Sequence, residues 1–388
     1  MTDSNYGLIS AESHVVEPAD LFSSRLGAGL KDKAPKPTAG RTGWEVDGYG
    51  AIALPPTAST GSGYRHSVRE NGDPLTFDKV LPSAFDPAER IMAQDTDSVD
   101  AEILYPTPEL WDAIKSLEDR DVKLACTRAY NDWIAEFSAH SPNRLVGLAK
   151  IPTTGAEDAR DELLRCVNDL NLRGVILDAW PGLGVATDEA NDIFWDAVNQ
   201  TKVPVSLHYA IGTEASTAPP TGIFAGVKPP LADAALPMVA GGVFDRFPNL
   251  RLVFAHADAG WAFHWLEFMD INYVRHRHLD FYKLQDPDAL PSEYVRKHTW
   301  FTFHQDRTSV TYRSKIGTTQ LLWASHFPDE ESEWPDNRQQ AVRVTSEVAP
   351  DDRRALLAGN AAKLYRLPGS ENSFAADDFK AFEALVHF

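Results

Sequence analysis

Five short apolar runs in this chain each stop at a histidine, and the first also carries a glutamate. Leu8-Ile9-Ser10-Ala11 leads into Glu12-Ser13-His14, and Val203-Pro204-Val205-Ser206-Leu207 ends at His208. The run from Leu250 to Ala255 ends at His256, Trp300-Phe301-Thr302-Phe303 at His304, and Leu321-Leu322-Trp323-Ala324-Ser325 at His326. Imidazole nitrogens and a carboxylate form a mixed donor set suited to Zn²⁺, Mn²⁺, Fe²⁺ or Co²⁺. Residues i and i+2 of a strand point the same way, so Glu12 and His14 can address one cation from a single strand end. One histidine at a strand end is ordinarily a hydrogen-bonded rim residue. Four at the ends of different strands favour a shared site.

Such distant residues meet only if the strands close into a ring. A (β/α)₈ barrel gathers its site from the C-terminal ends of its strands in this way, and apolar runs alternate here with amphipathic stretches as βα units require. The run at 8–11 is the first strand. A segment rich in Gly, Pro, Ser and Thr follows at 15–80, with a hairpin expected near Trp44 to Gly50. It is too long for an ordinary βα loop and reads as an insertion covering the barrel mouth. A helix at 86–98 leads to a strand at 101–105. Apolar positions Val122, Cys126, Tyr130, Trp133, Ile134 and Phe137 predict an amphipathic helix over 119–139. Leu145 to Ile151 is the third strand, Gly174 to Leu177 the fourth, and the runs ending at His208, His256, His304 and His326 the fifth to eighth. Helices near 336–348 and 351–365 close the ring, and 367–388 reads as a C-terminal helical extension. One elaborated TIM barrel over 1–388 fits better than two domains.

Composition narrows the function classes. With 43% apolar residues the core is ample, and a net charge of −19 makes nucleic acid an unsuitable partner. No run reaches 18 apolar residues, so no membrane span is expected. The first residues lack a basic region and an apolar signal core. Cys126 and Cys166 read as buried free thiols of a reducing cytoplasm.

The segment Ile9-Ser10-Ala11-Glu12-Ser13-His14-Val15-Val16-Glu17-Pro18 resembles the opening of the amidohydrolase-2 (aminocarboxymuconate-semialdehyde decarboxylase-like) branch of the amidohydrolase superfamily. Ala129-Tyr130-Asn131-Asp132-Trp133, Pro142-Asn143-Arg144-Leu145-Val146-Gly147-Leu148 and Arg173-Gly174-Val175 match it too. So do Phe247-Pro248-Asn249-Leu250, Gly260-Trp261 and Asn360-Ala361-Ala362-Lys363-Leu364-Tyr365, and the matches span residues 8–366 in order. The resemblance implies a metal-dependent barrel enzyme that either decarboxylates small aromatic or dienoic acids or hydrolyses C–N, C–O or C–C bonds. It places metal ligands on Glu12, His14 and His208 and a catalytic proton carrier beside them on His256. The fourth strand ends in Asp178-Ala179-Trp180, with no lysine to bridge two ions, so one divalent metal is expected: zinc first, then manganese or iron.

The eighth strand departs from the pattern, because His326 stands where the family usually has an aspartate. That aspartate is a ligand and, in hydrolytic members, a base for water. Histidine adds no negative charge, and the ligand charge falls from about −2 to −1. His326 is therefore a substitute ligand, a free acid/base in a metal-poor site, or a mark of lost activity. The missing carboxylate weakens water activation more than charge stabilisation, which leans the reading to decarboxylation. The alternatives are a hydrolase of a C–C, ester, lactone or amide bond, including a metal-free form with His256, His304 and His326 as an acid–base cluster, and a catalytically silent binding barrel.

Other residues carry two readings each. His304 faces the substrate or is a rim histidine. Trp180 and Tyr209 form an aromatic wall or simply pack. Arg65, with His66, could neutralise a substrate carboxylate. Asp258 either bonds a ligating imidazole from behind or caps the next helix. His276 and His278, two apart on a helix, do not share a face and read as solvated, as does the acidic run Asp329-Glu330-Glu331-Ser332-Glu333. The expected partners are a small-molecule substrate and a second copy of the chain.

Overall fold

The computed structural model describes residues 7–54, 74–181, 187, 189–208, 230–279, 282–329 and 331–368. Arg65, His66, Tyr209, residues 212–229 and the sequence from 369 lie outside the described residues. In chain order the strands are β1 (Ile9–His14), β2 (Lys36–Pro37), β3 (Gly43–Val46), β4 (Gly50–Ala53), β5 (Ala101–Tyr105), β6 (Leu145–Gly147), β7 (Ala149–Lys150), β8 (Val175–Leu177), β9 (Val205–His208), β10 (Leu252–Ala255), β11 (Thr299–Phe303) and β12 (Leu321–Trp323).

Apart from β2–β4, the strands are parallel, in the order β1–β5–β6 and β7–β8–β9–β10–β11–β12. The expected third strand is thus interrupted: β6 and β7 flank Leu148, whose N–H bonds the Leu104 carbonyl at 3.1 Å and keeps the sheet continuous. The ring closes between β12 and β1. Ser325 N–H donates to Ser10 Oγ at 2.9 Å, His326 N–H to the Glu12 carbonyl at 3.1 Å, and His14 N–H to the Phe327 carbonyl at 2.7 Å. Helices lie between successive strands, and the result is a (β/α)₈ barrel.

Ile9, Ile103, Val146, Ile176 and Val253 fill its interior together with Ala358, Ala362 and Tyr365 from the last helix. That helix sits under the N-terminal ends of the strands: Asn360 donates to the Leu321 carbonyl, and Arg366 to the carbonyls of Thr201 and Lys202. The opposite end is left for the histidines. The helix Arg120–Ala139 buries Val122, Cys126, Tyr130, Ile134 and Phe137, as its periodicity predicts, and Asp119 caps its first turn. Among the described residues no helix is long and apolar enough to cross a membrane.

Two devices aim the first strand. Between Ser10 and Ser13 the chain advances three residues while its β5 partner advances two, from Glu102 to Leu104. This bulge places Ala11 and Glu12 opposite Ile103 alone. Simple alternation with Ile9 and Ala11 inside would turn Glu12 and His14 outward; the bulge shifts the phase and brings both in. Arg90, fully buried, then ties the strand ends together. Its guanidinium pairs with Glu102 at 2.5 Å and donates to the carbonyls of His14 (2.9 Å), Phe327 (3.1 Å) and Ser83 (3.2 Å).

Of the insertion, residues 15–54 and 74–80 are described. The predicted hairpin is there as β3–β4 and gains β2 as a third antiparallel strand. Trp44 sits between the rings of Phe22 and Phe77 at 5.4 and 5.3 Å. This described part packs against the helices Pro108–Ser116 and Arg120–Ala139, and its Val15 and Val16 line the cavity beside the histidines.

Candidate metal centre

Glu12 is completely buried at the C-terminal end of β1 and is the point on which four imidazoles converge. His14 Nε2 stands 3.5 Å and His208 Nε2 3.6 Å from its Oε1, and His326 Nε2 3.6 Å from its Oε2. His256 binds both oxygens: its Nδ1 is 2.8 Å from Oε1, and its backbone N–H donates to Oε2 at 2.7 Å. Thr302 Oγ1 donates to Oε2 at 3.0 Å. Thr302 was not singled out in the sequence, although it lies two residues before His304 on one strand and so shares its face.

The longer distances bear on a cation. Separations of 3.5 and 3.6 Å are too great for good hydrogen bonds, and His14 Nε2 is buried with no hydrogen-bond partner. They match the spacing of about 3.4 Å between two ligands held at about 2.1 Å on a tetrahedral ion. Donor atoms of Glu12, His14, His208 and His256 all lie within 4.8 Å of one another, and a second such group joins His256, His326 and Glu331. The donor set fits a divalent ion.

His256 and His326 sit just past their strands in left-handed backbone, at φ of 58° and 57°, and Asp258 follows at 48°. Non-glycine residues rarely take this conformation, and it costs about 1–3 kcal/mol where the surroundings impose it. Here it turns two imidazoles toward Glu12, with their rings stacked 4.5 Å apart. The loop after β10 is held by Asp306, which accepts from the N–H groups of Ala259 and Gly260 at 2.9 and 2.6 Å. A Cβ on Gly260 would lie 2.9 Å from both Asp306 and Thr308, so only glycine permits this approach.

Charge and burial divide the imidazoles. Burial alone would raise the Glu12 carboxyl, but His256 and His326, helped by His14 and His208, hold it well below the usual carboxylate range. Burial pushes His208 down to about 4 despite the pull of Glu12. His304, buried beside His326, is pushed down to about 3. His256 goes the other way: burial lowers it, but Glu12, Asp329 and Glu331 carry it up to about 9. These shifts favour a neutral ring on His208, the form that metal ligation requires, and on His304, and favour a proton on His256.

Two expectations are corrected. Glu331 is not simply a member of a solvated acidic run: its carboxylate is 3.1 Å from His326 Nδ1, and that hydrogen bond holds its pKa down to about 2. Asp258 neither caps the next helix nor bonds an imidazole. It accepts the backbone N–H of His304 at 3.0 Å, while the helix Ala262–His276 has no side-chain cap. The fourth strand ends without a lysine of its own, as its sequence reads, and Asp178 there pairs with buried Lys150 of β7.

The remaining residues are dispersed. His304 has a buried, unpartnered Nε2, and its ring lies 5.0 Å from that of His326. Trp180 is half-buried and packs at 6.2 Å on Trp195. His276 and His278 are exposed, and Cys126 and Cys166 are buried free thiols. A cavity of about 70 Å³ opens at the site, walled by His14, His208, His256, Val15, Val16 and Thr107 among others.

A family model described as amidohydrolase matches residues 65–367. A gamma-resorcylate decarboxylase of Rhizobium sp. (strain MTP-10005) is 25% identical over 295 residues, which is 66% of this chain and 81% of that protein. A 2-amino-3-carboxymuconate-6-semialdehyde decarboxylase of Dictyostelium discoideum is 24% identical, over 75% of this chain and 79% of its own. Among solved structures, a 5-carboxyvanillate decarboxylase from Novosphingobium aromaticivorans has a TM-score of 0.66 at 16% identity. The match covers 93% of this chain and 97% of that one, whose structure holds manganese and 3-methoxy-4-hydroxy-5-nitrobenzoic acid.

Proposed function

The chain belongs to the amidohydrolase-2 family of the amidohydrolase superfamily, and from that membership we propose that it is a metal-dependent carboxy-lyase removing CO₂ from a small aromatic or dienoic acid. The observation that carries this reading is the Glu12 carboxylate shared by two groups of different character. The Nε2 atoms of His14 and His208 face it at 3.5 and 3.6 Å, and His256 is hydrogen-bonded to it.

Glu12, His14 and His208 would hold one divalent ion, zinc or manganese, with His326 as the fourth donor. When bound, the ion supplies Lewis-acid stabilisation of negative charge on the substrate. Decarboxylation breaks the bond to the carboxylate carbon and leaves an electron pair on the remaining carbon, which must take a proton. In this reading His256 delivers it. Its Nδ1 is occupied by Glu12, so the proton leaves from Nε2. Glu12 orients that ring through two contacts, and Thr302 fixes Glu12. Glu331 restores beside His326 the negative charge that the missing aspartate would have carried. His304 would face the substrate, with Trp180, Tyr209 and Arg65 assigned to substrate contact. The working unit we take to be a cytoplasmic homodimer.

A second reading is favoured by the adjacent rings of His256, His326 and His304: the first pair is stacked at 4.5 Å and the second tilted at 5.0 Å. They could relay protons without a metal in a lactone or C–C hydrolase. One experiment separates the two. The as-isolated, chelated and remetallated protein is assayed for CO₂ release from hydroxybenzoates and dienoic acids. The lyase reading expects turnover lost on chelation and recovered with Zn²⁺ or Mn²⁺. Turnover that persists after chelation, or no CO₂ from any acid with any metal, would overturn it.

A further inference from the structure

Three serines adjoin the candidate ligands in sequence. Ser10 stands two residues before Glu12, Ser13 lies between Glu12 and His14, and Ser325 precedes His326. All three are buried and meet at the seam where β12 joins β1. Ser13 Oγ lies 2.9 Å from Ser10 Oγ and 3.0 Å from Ser325 Oγ, and the last two are 3.0 Å apart. The triangle also reaches the backbone. Ser325 N–H donates to Ser10 Oγ at 2.9 Å, Phe327 N–H to Ser325 Oγ at 3.2 Å, and Ser10 Oγ donates to the Glu12 carbonyl at 2.8 Å. A hydroxyl has one proton and two lone pairs. With the Ser10 proton on Glu12 and the Ser325 N–H on Ser10, Ser10 accepts one more hydroxyl proton. It comes from Ser13, with Ser325 donating to Ser13, or from Ser325, with Ser13 donating to Ser325. Either way every hydroxyl proton has an acceptor, and the chain ends on the Glu12 carbonyl.

We propose that Ser10, Ser13 and Ser325 are positioning residues of the metal site: their hydroxyls hold the β1 bulge and so set Glu12 and His14 against His326. A bulge takes residues out of the regular ladder, and their buried backbone groups then need other partners. The Glu12 carbonyl finds two, Ser10 Oγ and the His326 N–H at 3.1 Å. One carbonyl thus joins the residue that carries the carboxylate to the residue that carries the facing imidazole, and Ser10 fixes it. Elsewhere the barrel interior is filled by apolar side chains such as Ile9, Ile103 and Val253. Apolar groups would fill the seam as well, but they have no direction and do not choose a register. Hydroxyls do, and a site needs its ligands held within about 0.5 Å of their working places.

The inference rests on the metal site proposed above and not on the reaction. Co²⁺ is the probe, because its visible absorption reports coordination number and geometry, which a loss of packing alone does not move. It is titrated into the chelated full chain as wild type, S10A, S13A, S325A and T345V. The last removes a buried hydroxyl that bonds Ala341 in a helix away from the seam. S10A loses both the donor to Glu12 and the acceptor for Ser325, so its Co²⁺ affinity should fall about tenfold and its bands should shift. S13A and S325A, which keep the Ser10 bond to Glu12, should show the same change to a smaller extent. T345V should bind as wild type does, whatever its melting temperature. An S10A protein with wild-type affinity and spectrum would overturn the inference and leave the metal site standing. If S10A does not fold, wild-type binding in both S13A and S325A has the same force. Equal weakening in T345V would also overturn it, by showing that any lost buried hydroxyl does this. A wild type that takes up no Co²⁺ would remove the metal site itself, and this inference with it.

Discussion

The two sides of Glu12 are built differently. On one side His14 and His208 hang from strand ends inside the sheet, buried and aimed by register alone. On the other, His256 and His326 sit beyond their strands in left-handed backbone. His256 is held there by Glu12 and Thr302, and His326 by Glu331. The first arrangement is rigid and suits groups that must hold an ion. The second turns rings to angles a strand cannot give, and suits groups that must meet a substrate and pass a proton. Under the proposed lyase reading the sheet would supply the metal side and the loops the proton side, with His326, the proposed fourth donor, standing between them.

The severest way to break the contrast is E12Q, because both sides depend on that carboxylate. The amide keeps the shape and removes the charge. Bound metal, measured by elemental analysis, is expected to fall from about one ion per chain to a small fraction. Decarboxylation should drop at least ~10³-fold, roughly 4 kcal/mol of transition-state stabilisation. H208A should lose metal in the same way, whereas H256N should keep its ion and lose turnover. Equal metal loss in H256N and H208A would erase the distinction between the two sides.

The sheet side was legible in the sequence and the loop side only partly so. His208 could be read because an apolar run of strand length stops at it. Glu12 and His14 were legible as a pair, but their inward direction was not. That depends on a bulge between Ser10 and Ser13, a feature of register that alternation does not encode. Glu331 was hidden in an acidic run that composition assigns to solvent. The clue available was positional, since the run begins three residues after a histidine that replaces a carboxylate. Asp258 was assigned to the wrong kind of partner because a left-handed turn points its side chain at the His304 backbone, not at the following helix.

A smaller and sharper effect is expected at His326. H326D returns the carboxylate that the family pattern has there, adding one negative charge to the donor set. Metal affinity, measured by competition with a chromogenic chelator, should rise about tenfold, and H326A should lower it. If H326D binds metal no better than wild type and H326A no worse, His326 is not a ligand and belongs wholly to the proton side.

The smallest predicted effect, and the most discriminating, is at Glu331. Its carboxylate reaches the site only through His326 Nδ1, 3.1 Å away, and over half of its side chain is in solvent. A positioning role acts by fixing the ring and its tautomer, and partners of this kind are worth about 10–100-fold. Partial exposure argues for the lower end, so E331Q should cost about tenfold. The parameter that moves shows which side His326 serves. If the ring is a ligand, metal affinity falls and kcat of the remetallated protein is nearly kept. If it is an acid or base, kcat falls with affinity unchanged. E331D, which retains the charge, should recover part of either loss, a recovery that mere packing of the loop would not produce. An E331Q variant unchanged in both parameters would show that the pair is a surface contact, leaving the site with the reduced charge that Glu12 alone provides.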